Sequence, residues 1–198
     1  LAAYFTTACD GGDTLGCSLL ARSYYDGAGV EQNKEKAADI FTQACAEKEP
    51  DACQVLAWMY MEGDGVDQDI DRAFTMFKSG CERDEMMSCA GLGWAYDTGT
   101  GTDEDVAKAA DLYDRACEAD VGDGCNNLGA LYESGRAGKL DQKKAEKLYQ
   151  KACDLEYPLG CSNRASSYFR AGMLKMLSAD DPPEFQKAVP LFSRACDA

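Results

Sequence analysis

Ten of the eleven cysteines fall in pairs eight residues apart, and the pairs recur every 36 residues. They are Cys9 and Cys17, Cys45 and Cys53, Cys81 and Cys89, Cys117 and Cys125, and Cys153 and Cys161, with Cys196 alone near the end. So strict a spacing means structural repeats, which constrain a fold more tightly than composition does. Other columns keep the same step. Tyr24, Tyr60, Tyr96, Tyr132 and Tyr168 form one, and Leu20, Leu56, Leu92 and Leu128 another, broken at Arg164. Ala37, Ala73, Ala109 and Ala145 form a third, and Phe41, Phe77, Tyr113 and Tyr149 a fourth. The last unit is longer: Tyr168 to Ala188 is 20 residues where the other units have 13. Seven residues are therefore inserted near 173–183, before the pattern resumes at Ala188, Phe192, Ala195 and Cys196.

Each unit reads as two helices. In the second unit Cys53, Leu56, Ala57 and Tyr60 stand at i, i+3, i+4 and i+7, one face of a first helix. It stops at Gly63-Asp64-Gly65, with equivalents at Gly27 and Gly29, Gly99 and Gly101, and Gly135 and Gly138. The second helix covers Asp71 to Cys81, where Ala73 and Gly80 let a neighbour come close beside Phe77. No stretch alternates as a strand does. The reading is all-α, with helical hairpins stacked one on the next.

The pattern C-x7-C-x2-L-[AG]-x2-Y-x2-G-x-G, followed by A-x2-[LIM]-[FY]-x2-[AG]-C, resembles the Sel1-like repeat family. It is most similar to the cysteine-rich branch typified by the Helicobacter cysteine-rich proteins. Tetratricopeptide repeats are near relatives, but their period is about 34 and lacks the cysteine pair. The resemblance covers essentially the whole chain and implies a right-handed α-solenoid of helix-turn-helix repeats, period 36, stapled by disulfides. Departures are Arg164 at a leucine position, the seven-residue insertion, and a second glycine displaced to Gly138.

Three readings of the cysteines compete: buried thiols, a metal cluster, or disulfides. Metal clusters favour C-x2-C spacings, and none occurs. Buried thiols suit a reducing compartment. Five pairs, each joining the end of one helix to the start of the next, favour the bridges Cys9–Cys17, Cys45–Cys53, Cys81–Cys89, Cys117–Cys125 and Cys153–Cys161. Closing a nine-residue ring contributes roughly 2.5 kcal/mol through loop entropy. Bridges imply an oxidising compartment: the bacterial periplasm or the exterior, or the mitochondrial intermembrane space in a eukaryote. Leu1 to Cys9 matches a second helix, and Cys196 the first cysteine of a pair. Residues 1–198 thus read as one array of about five repeats cut at both ends, with Cys196 a free thiol. The expected state is a monomer, apart from an air-oxidised Cys196 dimer.

Charge and missing residue types narrow the function. Thirty-five acidic against twenty basic residues give −15, which repels nucleic acid and anionic lipid. No apolar run approaches the ~20 residues that span a bilayer. With no histidine, serine–histidine and cysteine–histidine catalysis are excluded, as are imidazole zinc sites. The family resemblance raises penicillin binding and β-lactamase activity, yet no S-x-x-K occurs. Asp67-Gln68-Asp69-Ile70-Asp71 begins like a calcium loop, but Arg72 and Lys78 stand where glycine and glutamate belong. The expectation is no catalysis, metal or cofactor.

What remains is a binding face. Positions 54, 58 and 61 lie on a second stripe of the first helix, roughly a third of a turn from the core stripe. They hold Gln54, Trp58 and Met61; equivalents are Ser18, Arg22 and Tyr25, then Ala90, Trp94 and Asp97. Further on come Asn126, Ala130 and Glu133, then Ser162, Ser166 and Phe169. Core columns stay fixed while this one varies, as a recognition surface requires. In the similar tetratricopeptide and Sel1-like arrays this face lines a concave groove. The competing reading packs Trp58 and Trp94 between adjacent hairpins. The expected partner is a protein or peptide, with basic character favoured by the charge. A scaffold or adaptor is the first reading; a periplasmic inhibitor or immunity protein for one partner is the second.

Overall fold

The computed structural model of the protein describes residues 2–177, 190 and 193. Among these are ten helices and no strand: α1 (Ala2–Asp10), α2 (Thr14–Asp26), α3 (Lys34–Ala46), α4 (Pro50–Glu62), α5 (Ile70–Glu82), α6 (Met86–Thr98), α7 (Val106–Glu118), α8 (Gly122–Ser134), α9 (Gln142–Asp154) and α10 (Pro158–Leu177). The expected insertion lies outside the described residues from 178 onward, as do Ala188, Phe192, Ala195 and Cys196. The chain forms two compact units, residues 1–95 with 100–103, and residues 96–99 with 104–198. Within the first, α1 packs on α2, α2 on α3, α3 on α4 and α4 on α5; within the second, α7 packs on α8, α8 on α9 and α9 on α10. Consecutive packing of this kind is the pattern of an α-solenoid.

The tyrosine column explains the turn inside each hairpin. The carbonyls of Tyr24, Tyr60, Tyr96 and Tyr132 accept the backbone N–H groups of Asn33, Asp69, Asp105 and Asp141 at 2.8, 2.9, 2.9 and 3.0 Å. Those four residues cap the second helices, taking the N–H groups of Lys36, Arg72, Lys108 and Lys144 at 2.8 to 3.0 Å. The same basic side chains then lie over the tyrosine rings, 4.1, 4.1, 5.0 and 4.0 Å from the centroids. One clasp thus ties ring, cap and cation within thirteen residues. In α10 the cation comes from Arg164, 5.4 Å from the ring of Tyr168, so the arginine in the leucine column has a local partner.

The connection between hairpins is equally regular. The N–H groups of Glu49, Glu85, Val121 and Tyr157 reach back five residues to the carbonyls of Ala44, Gly80, Ala116 and Ala152. Closing this turn requires a left-handed residue, supplied by Lys48, Asp84, Asp120 and Glu156 at φ near 60°. Gly12 takes that place in the first connection. Each such turn brings two cysteine Cα atoms to 4.4–4.6 Å, and all five pairs are bonded. In the first unit Ala37, Phe41, Ala52, Leu56 and Met59 pack as one buried cluster. In the second, Tyr113, Leu128, Leu131 and Tyr149 are fully or almost fully buried. A Cβ on Gly91 would stand 2.5 Å from the Phe77 ring, so glycine lets α5 and α6 meet.

Candidate functional site

The second stripe of the first unit carries an aromatic patch. Trp58 on α4 meets Trp94 on α6 edge to face at 5.2 Å, and also meets the core ring of Phe77 at 4.9 Å. Both indoles remain partly open to solvent. Gln54 is half-buried and Arg22 exposed. Tyr25 is fixed by a different arrangement: its hydroxyl donates to Asp64 Oδ2 at 2.8 Å, and Lys34 Nζ reaches the same oxygen at 2.8 Å. The Lys34 hydrogen bond is the main reason that the Asp64 carboxyl sits below its usual range. Burial first, then Asp64, pushes the Tyr25 hydroxyl up to about 12. Met61 departs from the expected open face. It is 4% exposed and belongs to the interior. An unbranched side chain at the edge of the apolar stripe can turn inward, and methionine does so here.

The second unit carries a polar pocket instead. It measures about 410 Å³ and is lined by Asp97, Ala130, Leu131, Glu133, Ser134, Arg136 and Arg170. Arg136 Nη1 lies 2.6 Å from Asp97 Oδ1, and its Nη2 donates to the Asp97 carbonyl at 2.9 Å and to Glu104 at 2.7 Å. Glu133 accepts the hydroxyls of Tyr149 at 3.1 Å and Ser167 at 2.9 Å, and pairs with Arg170 at 3.1 Å. Phe169 is 48% exposed. Asn126 is a second correction: it is 4% exposed, and its Oδ1 accepts from Asn163 at 2.8 Å. A buried amide needs such a partner, so Asn126 serves packing between α8 and α10.

A sequence signal for the pocket exists sixteen residues away. Where the second stripe carries Tyr25 and Met61, the core column holds Phe41 and Phe77; where it carries Asp97 and Glu133, the column holds Tyr113 and Tyr149. The added hydroxyls face those carboxylates, at 3.5 Å for Asp97 and 3.1 Å for Glu133. Burial first, then the neighbouring carboxylate, raises both phenols above their ordinary range. Among the described residues no group of three or more Cys, Asp or Glu is placed to hold a metal ion.

Repeat spacing, paired cysteines and hairpin geometry meet in the family comparison. The Sel1 repeat matches residues 14–48, 50–85, 87–121, 122–157 and 165–198. The chain belongs to the Sel1 repeat family. Sel1 repeat proteins are generally protein-interaction scaffolds, and the fold is typically non-enzymatic. Among solved structures, this Sel1 chain is similar to c5321, a protective antigen present in uropathogenic Escherichia coli strains. That match has 26% identity and a TM-score of 0.68, covering 98% of this chain and 40% of the antigen. The chain thus spans less than half the antigen's length. A Sel1 repeat protein from Oxalobacter formigenes matches at 20% identity and TM-score 0.72, covering 100% of this chain and 84% of its own. The immunity protein Pa5087 from Pseudomonas aeruginosa matches at 17% identity and TM-score 0.65, covering 98% and 73%. Comparison with curated proteins gives no match.

Proposed function

We propose that this Sel1 repeat protein is a non-enzymatic scaffold of an oxidising compartment that holds a protein or peptide on the second stripe of its first helices, centred on Trp58 and Trp94. The observation that carries the reading is the indole pair. Two part-exposed tryptophans sit at equivalent positions of successive repeats with ring centroids 5.2 Å apart, and Trp58 rests against the buried ring of Phe77. Rigid aromatic surface of this kind offers contact area at small cost in side-chain entropy. Arg22 and Tyr25 hold the corresponding positions of the preceding repeat. The five disulfides support the compartment, periplasmic or extracellular, because reducing cytosol would not keep them. No described helix is long and apolar enough to cross a membrane.

A net charge of −15 favours a basic partner and supports a second reading, a dedicated inhibitor of one basic protein. The test compares wild type with the double variant Trp58→Ala, Trp94→Ala as bait in periplasmic extract. A partner held by wild type should bind the variant more weakly by about 2 kcal/mol or more, at unchanged melting temperature. Equal retention would place the partner on the acidic turns, and that binding would collapse in high salt. An inhibitor would retain a single species; an adaptor would retain several.

A further inference from the structure

We propose that the pocket of the second unit binds a small zwitterion of dipeptide size. Ala130 is the starting point. It occupies the column place held by Trp58 and Trp94 in the two preceding repeats, and it lines the cavity. Where those repeats carry an indole, this one carries a methyl group, and about 410 Å³ stands open beside it. Such a volume falls in the range of small-molecule sites, about 300–1,000 Å³.

The walls choose the ligand's chemistry. Asp97 and Glu133 are the more sheltered, at 18% and 22% side-chain exposure, while Arg136 and Arg170 are more open at 42% and 56%. All four are held before any ligand arrives. Tyr149 and Ser167 fix Glu133, and Asp97 and Glu104 fix Arg136. Preorganised groups spare a ligand the cost of ordering them. A purely cationic ligand meets two guanidiniums, and a purely anionic one meets two carboxylates. A ligand carrying both charges can set its ammonium against Asp97 and Glu133 and its carboxylate against Arg170. An ionised carboxylate accepts about four hydrogen bonds and a guanidinium donates five, so the paired groups have capacity for this. Ala130 and Leu131 supply a short apolar wall for a small side chain.

The test is titration calorimetry with three probes: L-alanyl-L-alanine, its N-acetyl derivative and its C-terminal amide. The zwitterionic dipeptide should bind at least tenfold more tightly than either derivative. Ala130→Trp should abolish dipeptide binding with the melting temperature and helical signal kept, because tryptophan stands at this place in two other repeats. Arg170→Gln should weaken the dipeptide at least tenfold and leave the amide unchanged, and this variant decides the matter if Ala130→Trp does not fold. Equal binding of all three probes, no binding of any at millimolar concentration, or full binding by Ala130→Trp would each overturn the site. The site is independent of the Trp58–Trp94 reading, so the failure of either leaves the other standing.

Discussion

The tyrosine hydroxyls are the residues on which pH acts most directly. Tyr25, Tyr149 and Tyr157 each donate to a carboxylate, at 2.8, 3.1 and 3.0 Å. Tyr25 is pushed up from 10.0 to about 12, by burial first and Asp64 next. Tyr113, Tyr149 and Tyr157 move in the same direction, again chiefly through burial. The sign follows from linkage. An unfolded tyrosine loses its proton near its ordinary value, while the folded one keeps it, so the stabilisation is whole below about pH 10 and is lost as pH rises beyond. Urea midpoints should hold steady up to about pH 9 and then fall steeply, with a shallower fall in Tyr149→Phe. That variant should also lose about 1 kcal/mol at neutral pH, since Glu133 forfeits one donor and keeps Ser167 and Arg170. No loss at either pH would mean that the hydroxyl does not support the carboxylate.

Turns carry the next set of consequences. Lys48 and Glu156 hold a left-handed conformation at φ 64° and 61°, where a side chain costs roughly 1 kcal/mol or more. Gly12 avoids that cost in the first connection. Lys48→Gly should therefore raise the unfolding free energy by about 0.5 kcal/mol, the relief of strain being partly offset by the looser unfolded chain. Asp69→Ala should lower it by about 1 kcal/mol, because Arg72 loses its cap. Chemical denaturation of both variants checks the two signs. At this scale the sequence was most readable. The 3–4 spacing of Leu56, Ala57 and Tyr60 and the glycine pairs locate helices and turns because both signals are local. What the tyrosine column does was harder to read, although Lys36, Arg72, Lys108 and Lys144 keep the same 36-residue step. A basic residue twelve positions away on another helix gives no periodicity within either helix. Met61 and Asn126 are buried against expectation for a related reason: a varied column predicts an open face, but burial depends on which neighbour covers each position. The pocket was legible only as a substitution pattern, phenol for phenyl opposite a carboxylate, which gains meaning once the two helices are seen to touch.

Across the whole chain, charge and cross-links dominate. The net −15 repels itself in the folded state, so moderate salt should raise the melting temperature, by a few degrees at about 0.5 M sodium chloride. An unchanged or falling value would mean that specific ion pairs such as Lys34–Asp64 outweigh the general repulsion. Five rings at roughly 2.5 kcal/mol each add up to the order of a domain's entire net stability. Full reduction should accordingly take the helical signal at 37 °C most of the way to that of an unfolded chain; a reduced protein that melts where the oxidised one does would sink this. The spacing of those bridges also bears on how the protein is made. Each bridge joins two cysteines that are neighbours in order among the ten, across a turn that its own hydrogen bonds define. A chain delivered end-first to an oxidant meets its correct partners in order of emergence. It needs a donor of disulfides but no isomerase to unscramble them, and each closed ring leaves the next pair as the nearest free thiols.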